Sequence, residues 1–449
     1  MSRLIPPDSL SPQGGEGAGG AGGGGGGLVG PEERVGVRGP GRLTKEIPNP
    51  PDPSIGTVPH LPLGVYVHFP FCSLRCPYCD FAVDTRAADV VPHDAYADAV
   101  IAELAARRAW FDGAGPLVSI YFGGGTPGLW RPDALGRVIA AARAAFGDPP
   151  ADALEITVEA NPGEVDAARL TALRAVGVNR LSLGAQAFDD ALLRALGRNH
   201  DAAAIPAAVR AAREAGIASL SLDLIFGVPG QTRDGWRRAL DAAIALGPEH
   251  VSAYALTIER GTAFGALDRA GKLPRPDDEA VAALFEDAGV ALAAAGLPRY
   301  EVSSYARPGH RARHNSLYWA GAPYLGLGAS ASSFRPLVDG TGFRFTNPRA
   351  TDTYLKAAKA GAGVIAPRLV ERRERDDLEN EGLWLGLRTT DGVDRAAHRA
   401  RHGRDPLEGR AEDVEACVRS GWLRIDEARL SLTPRGFLFA DEVASRLWR

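Results

Sequence analysis

The chain has 449 residues, 45% of them hydrophobic and 24% charged, with a formal net charge of -4 and a pI near 6.2. That length exceeds one compact unit of ordinary size and predicts a main domain with an appendage. The slight acidity argues against a nucleic-acid-binding surface. No apolar run approaches the roughly 18 residues of a membrane span, and no basic start leads into an apolar secretion core, so a cytoplasmic location is expected.

Residues 1–60 hold 16 Gly and 10 Pro, including the run Gly22–Gly27. Such a stretch cannot bury enough apolar surface to offset its ordering entropy and reads as a disordered tail. A βα rhythm begins near Leu61. Strand-like runs are Val65–Phe69, Val118–Phe122, Leu154–Glu159, Leu181–Gln186, Leu220–Phe226 and Val251–Leu256. Between them, stretches of helical period include Tyr96–Trp110, Pro132–Phe146, Asp201–Ala215 and Thr232–Leu246. Strands alternating with helices predict a parallel sheet with right-handed crossovers.

Side-chain parity inside these runs narrows the architecture. Leu154, Ile156 and Val158 share one face, with Glu155, Thr157 and Glu159 on the other. Leu181, Leu183 and Ala185 oppose Ser182, Gly184 and Gln186, and Leu220, Leu222 and Leu224 oppose Ser219, Ser221 and Asp223. A doubly wound sheet covered on both sides would want two apolar faces. One apolar and one small or polar face fits an α/β fold of partial (β/α)6, TIM-like barrel type, whose inner face lines a cavity. Glu159, Gln186 and Asp223 fall at or near strand C-terminal ends, where barrel sites lie. Polar residues satisfying one another in a core is the competing reading.

Beyond Leu256, Pro274–Ala295 reads as helix, Arg299–Ser303 as a further strand, and Arg311–Phe334 as a Gly- and aromatic-rich stretch. A mostly helical accessory domain is expected over residues 367–449, after a barrel domain over 61–366. It would open with a helix Glu371–Arg388 and close with a helix Val414–Ser420 and a hairpin, Trp422–Ile425 with Arg429–Leu432. Helices followed by a small hairpin suggest a winged-helix-like arrangement, here for packing rather than DNA.

Three of the four cysteines, Cys72, Cys76 and Cys79, lie within eight positions, and Cys417 stands far away. So few and so clustered, in a reducing compartment, they point to a metal site rather than a disulfide framework. Three thiolates on one loop can hold three corners of an iron–sulfur cube and leave one iron open. Structural zinc closes four ligands, usually as two cysteine pairs, and no second pair exists. Cys417 reads as a buried small apolar side chain. Gly123-Gly-Gly-Thr-Pro127 ends the second strand, where glycines would let the backbone come close to a ligand.

The Cys72–Cys79 spacing after a first strand, and the Gly-rich segment after the second, resemble the radical S-adenosylmethionine superfamily. Tyr66-x-His-x-Pro-Phe-Cys72, Gly-Gly-Gly-Thr-Pro127, Glu159-Ala-Asn-Pro162, Asn179-Arg-Leu-Ser-Leu-Gly-Ala-Gln186 and Asp223-Leu-Ile-Phe-Gly-Val-Pro-Gly-Gln231 run in the order of oxygen-independent coproporphyrinogen III oxidases and their relatives. The resemblance implies a [4Fe-4S] cluster on Cys72, Cys76 and Cys79, with S-adenosylmethionine on the open iron. It implies contacts to that cofactor from Tyr66, Gly124, Gly125, Thr126, Glu159, Gln186, Arg198 and Asp223.

Two features separate the branches of that group. The oxidases carry a further cysteine two positions after the triad, where this chain has Phe81. His314-Asn-Ser-Leu-Tyr318-Trp319 resembles the HNxxYW motif of HemW heme chaperones. That branch implies heme as ligand, with His314 as its iron ligand, and respiratory hemoproteins, some at a membrane, as recipients. It also implies an electron donor to the cluster. The alternative is oxidative decarboxylation of coproporphyrinogen III. A bland reading of His314, an imidazole hydrogen-bonded within the fold, stands beside the heme role, and Tyr318 and Trp319 read equally as core anchors. Ser332 departs from the family, which has His there.

Overall fold

Leucines at alternate positions need a hydrophobic cover on one side only, and the sheet is built on that requirement. The computed structural model describes residues 56–58, 60–360 and 365–449. Its central strands are β1 (Leu63–Phe69), β2 (Leu117–Gly124), β3 (Glu155–Ala160), β4 (Arg180–Gln186), β5 (Ser219–Phe226) and β6 (His250–Ala255), all parallel. β7 (Ser304–Ala306) adds antiparallel to β6 at one edge. At the other, β8 (Tyr324–Leu327) lies parallel to β1 and leads into antiparallel β9 (Ser332–Pro336), β10 (Gly342–Thr346) and β11 (Leu369–Arg373). The order across this eleven-stranded sheet is β11-β10-β9-β8-β1-β2-β3-β4-β5-β6-β7, a barrel left open.

The strands carry the two faces that parity predicts. Leu181, Leu183, Ala185, Leu220, Leu222 and Leu224 are fully buried beneath the helices. Helix Pro132–Ala145 starts with Pro at its first turn and buries Ala134, Leu135, Val138, Ile139 and Ala142, one stripe at helical spacing. Helix Ala204–Glu214 does the same with Ile205, Ala208, Val209 and Ala212. Each fully buried leucine contributes about 1.5–3 kcal/mol, which orients the opposite, polar edge inward.

Several expectations are corrected. The expected helix Glu371–Arg388 begins later: Leu369–Arg373 is the edge strand β11, and the helix runs Arg375–Leu387. A capping box of Glu374 with Asp377 fixes that start, while cross-strand pairing with β10 claims the residues before it. The large sheet therefore extends beyond residue 366. The strand expected at Arg299–Ser303 is displaced to Ser304–Ala306, leaving Arg299 as an isolated bridge to Tyr305. Arg311–Phe334, read as an irregular stretch, contains the helix Arg313–Trp319 and strand β8. Of the tail expected over 1–60, residues 1–55 and 59 lie outside the described residues. Thr57 is buried and bridges Leu337, so the packed chain reaches back past Leu61.

In the C-terminal region Leu423–Ile425 and Arg429–Leu432 form the expected hairpin, widened to three strands by Val393–Asp394. Helices Arg375–Leu387, Ala411–Arg419 and Ala440–Leu447 pack with it around Leu383, Leu387, Val414, Leu430 and Val443. Cys417 is buried in this core, the apolar role expected of it. Trp319 joins the same cluster and ties the end of its helix to the C-terminal region. No helix among the described residues is long and apolar enough to cross a membrane.

Candidate metal centre and ligand pocket

The cysteine loop leaves the C-terminal end of β1 and is closed on itself. Phe71 and Cys72 pair parallel with Asp84 and Thr85, with Asp84 N–H donating to Pro70 O at 2.8 Å and Arg86 N–H to Cys72 O at 3.0 Å. His68, at the end of β1, meets Ala82 O through Nε2 at 3.0 Å and the Tyr66 hydroxyl through Nδ1 at 3.1 Å. A carbonyl only accepts, so Nε2 carries the proton and the Tyr66 hydroxyl donates to Nδ1. Burial lowers the His68 imidazole to about 4 and keeps it neutral. Both nitrogens are thus engaged, one by Tyr66 of β1 and one by Ala82 of the loop.

Cys72, Cys76 and Cys79 are each partly exposed and unbridged. Thr126 Oγ1 donates to Cys72 Sγ at 3.5 Å, and Arg198 donates to Cys76 Sγ at 3.4 Å. Burial pushes the Cys72 thiol up to about 12, against the Thr126 hydroxyl, and raises Cys79 as well. Such thiols stay protonated until a metal supplies positive charge. Among the described residues no three His, Cys, Asp or Glu side chains converge on a single-ion site.

Beside the loop, the inner face of the sheet opens. Glu159 accepts from the Tyr121 hydroxyl at 2.6 Å and from Gly124 N–H at 3.1 Å. Burial raises its carboxyl to about 7, with the Tyr121 hydroxyl opposing. Asp223 accepts from Ser182 Oγ at 2.7 Å and Ser221 Oγ at 3.1 Å, and burial raises its carboxyl too. Gln186 has φ 63 at a break in the β4–β5 register, a sparsely populated conformation for a non-glycine residue that re-aims its amide. Arg198 reaches Gly184 O at 3.3 Å and bonds Asn161 Oδ1. Tyr66, Gly124, Gly125, Glu159, Gln186, Arg198 and Asp223 keep part of their surface open to the pocket, and Thr126 lies buried behind them.

The glycine segment works differently from expectation. Its amides do not point at a ligand: Gly124 N–H serves Glu159, Gly125 N–H donates to Phe69 O and Thr126 N–H to Phe71 O. Gly124 has φ 110, and a Cβ there would stand 2.5 Å from the His68 ring. The segment is glycine because it fits β2 beneath the cysteine loop. Three residues not chosen from sequence complete the site. Tyr121 shares the Tyr66 face at 6.2 Å between rings, and register pairs the two. Asn161 donates to Thr126 Oγ1 at 3.2 Å and Glu164 at 2.7 Å, linking the glycine segment to Arg198. Ser182, in phase with Asp223, was legible from parity alone.

His314 lies at the opposite, N-terminal end of the strands. It sits in the first turn of helix Arg313–Trp319, inside the stretch expected to be Gly- and aromatic-rich, and is buried. The Glu155 carboxylate accepts from the N–H groups of Arg313 and His314 at 3.1 Å each, a cap supplied across a sequence separation no local pattern records. His314 Nδ1 meets Ser119 Oγ and Nε2 meets the Tyr318 hydroxyl, both at 2.9 Å. Its ring stacks on Tyr121 at 5.1 Å, and a Cβ on Gly64 would lie 3.2 Å from its edge. Burial lowers the imidazole to about 3, so it is neutral. Ser332 is buried in β9 against Thr346 Oγ1 at 3.0 Å. Phe81, at the position of the oxidases' further cysteine, is exposed.

The family description Radical SAM superfamily matches residues 66–243, and the HemN C-terminal domain matches residues 374–439. The heme chaperone HemW of Synechocystis is 39% identical over 74% of this chain and 79% of its own length. HemW of Mycobacterium tuberculosis is 37% identical over 88% of this chain and 97% of its own. Among solved structures, the Escherichia coli coproporphyrinogen III oxidase HemN, described as a radical SAM enzyme, superposes with a TM-score of 0.72 at 24% identity. That match covers 87% of this chain and 91% of that one, and it shows the fold alone.

Proposed function

Since the chain belongs to the HemW family of heme chaperones within the radical SAM superfamily, we propose that it binds heme and passes it to respiratory hemoproteins in the cytoplasm or at a membrane. Cys72, Cys76 and Cys79 hold a [4Fe-4S] cluster in this reading, and S-adenosylmethionine occupies the open iron. The observation that carries the cofactor half is the convergence of the cysteine loop with Glu159, Gln186, Arg198 and Asp223 on one open end of the sheet. Bound there, the cluster supplies an electron from a donor protein to the sulfonium of its ligand.

The chain's own residues do the rest. Thr126 and Arg198 donate to cysteine sulfurs and offset the negative charge of a thiolate-held cluster. Tyr66, Gly124, Gly125 and Thr126 form the wall next to the cluster loop, where the amino-acid end of S-adenosylmethionine would lie. Glu159 and Asp223 offer acceptors for its amino and hydroxyl groups, and Gln186 supplies an amide. His314 serves as heme ligand only if helix Arg313–Trp319 moves to uncover it, since its imidazole is 1% exposed. Nε2 must then exchange the Tyr318 hydroxyl for iron, which forfeits one buried hydrogen bond of roughly 1 kcal/mol. A neutral imidazole is the form that ligates.

The test is a heme titration of the parent, His314→Ala and Tyr318→Phe, followed by the Soret band. Weaker binding or an altered ligand field in His314→Ala, with Tyr318→Phe binding at least as tightly as the parent, supports the reading. Identical spectra and affinities in all three would remove His314 from the heme site and leave it a structural imidazole.

A further inference from the structure

Asp223 faces the open pocket, but the groups behind it form a chain of hydrogen bonds that the proposed function does not use. Ser221 Oγ donates to Asp223 Oδ1 at 3.1 Å and meets His250 Nδ1 at 2.8 Å. His250 Nε2 meets the Tyr300 hydroxyl at 2.9 Å, and that hydroxyl accepts from Ala312 N–H at 3.3 Å. Ser221 and His250 are buried, with no outlet to water.

Counting protons fixes the direction of this chain. An ionised carboxylate only accepts, so the single hydrogen of Ser221 points at Asp223. Ser221 must then accept from His250, which places the imidazole proton on Nδ1. Burial pushes the His250 pKa well below its ordinary value, with Arg180 and His310 acting in the same sense, so the ring is neutral and Nε2 is bare. The Tyr300 hydroxyl therefore donates to Nε2. Without that donor, the other tautomer becomes accessible. Nδ1 would then accept, and the Ser221 hydroxyl would turn away from Asp223 towards it.

We propose that His250 is a positioning residue for Asp223: aligned by Tyr300, it holds the Ser221 hydroxyl on the carboxylate and so sets how Asp223 receives its ligand. This rests on reading Asp223 as an S-adenosylmethionine contact. The chain also ends at Ala312, the residue before the helix that carries His314, so the pocket and that helix share one hydrogen-bonded path.

The experiment uses the full chain with its cluster reconstituted anaerobically. S-adenosylmethionine is titrated and read both as a dissociation constant and as the change in the EPR spectrum of the reduced cluster. Asp223→Asn is the control for the underlying reading. If it binds as the parent does, that reading and the proposal fall together. With Asp223→Asn weakened, Tyr300→Phe, two groups removed from Asp223, is expected to weaken binding by about fivefold at unchanged iron content. In a Ser221→Ala background the same change should add nothing, because the path is already cut. His250→Gln, which keeps one donor and one acceptor, should bind within about twofold of the parent, and His250→Phe should match Ser221→Ala. Parent-like affinity in Tyr300→Phe, or a loss that adds fully to that of Ser221→Ala, would overturn the proposal while leaving the role of Asp223 intact.

Discussion

The inner face of the sheet has two ends of opposite character. Towards the C-terminal ends of the strands, Tyr66, Glu159, Gln186 and Asp223 are polar and partly open, and Thr126 and Arg198 tie that side to the cysteine loop. At the N-terminal ends, Ser119, His250 and His314 are equally polar but buried, each nitrogen or hydroxyl matched to a partner. Both ends follow the same alternation along the strands. Polar parity therefore marks the inner face, and position along the strand separates the open ligand pocket from the buried hydrogen-bonded network behind it. The N-terminal end is filled because the helix Arg313–Trp319, capped by Glu155, is driven into it.

The sharpest way to break this comparison is to remove the loop that defines the open end. Changing any one of Cys72, Cys76 or Cys79 to Ala should abolish the brown absorbance and nearly all bound iron, while Cys417→Ala, in the C-terminal core, should keep both. Iron assay and the visible spectrum report it, and full iron loading in the triple variant would contradict the assignment.

Next come paired substitutions, one from each end. Ser119→Ala leaves His314 Nδ1 buried without a partner and should cost about 1–3 kcal/mol of stability in urea unfolding, with S-adenosylmethionine binding unchanged. Glu159→Gln should do the reverse, losing about 1–3 kcal/mol of ligand affinity by calorimetry with little loss of stability, because its amide oxygen still accepts from Tyr121 and Gly124. If both variants lose the same property, the two ends are not functionally distinct.

A smaller effect lies in pH. The Glu159 carboxyl titrates near 7 in the folded chain against an ordinary value of 4.5. Between those values the folded state holds a proton that the unfolded state has released. This favours folding at low pH, and the contribution is lost as pH rises through about 7. Glu159→Gln cannot lose that proton. Its melting temperature should gain on the parent's from about pH 4.5 to about pH 7, the range that the two values bracket. Glu301 is raised to about 7 as well and is common to both proteins, so the difference between them isolates Glu159. The smallest effect belongs to Phe81→Ser, exposed on the cysteine loop, which should change stability by no more than about 0.5 kcal/mol and leave iron content alone.

Much of this molecule was legible in its sequence because the signals are local. The six parallel strands follow from alternation, and the cysteine loop from spacing. Glu159 and Asp223 came from parity and family resemblance together. What was missed depends on contacts between distant segments. Pairing with β10 made a strand of Leu369–Arg373. Glu155 capped a helix 158 residues further on. The glycines were read as letting the backbone approach a ligand, and their amides turn instead to Glu159 and the cysteine loop, because a glycine-rich turn looks the same in sequence whichever it faces. Asn161 lay in a recognised motif, yet its bridging role needed the positions of Thr126 and Arg198.

The central claim is that this radical SAM scaffold handles heme rather than oxidising its precursor. It is tested most directly by dividing one anaerobically reconstituted preparation between two assays, a heme titration followed by the Soret band and an incubation with coproporphyrinogen III, S-adenosylmethionine and reductant. The account predicts saturable heme binding at fixed stoichiometry and no protoporphyrinogen IX. Sustained protoporphyrinogen IX formation, with heme binding no firmer than to an unrelated protein, would contradict it.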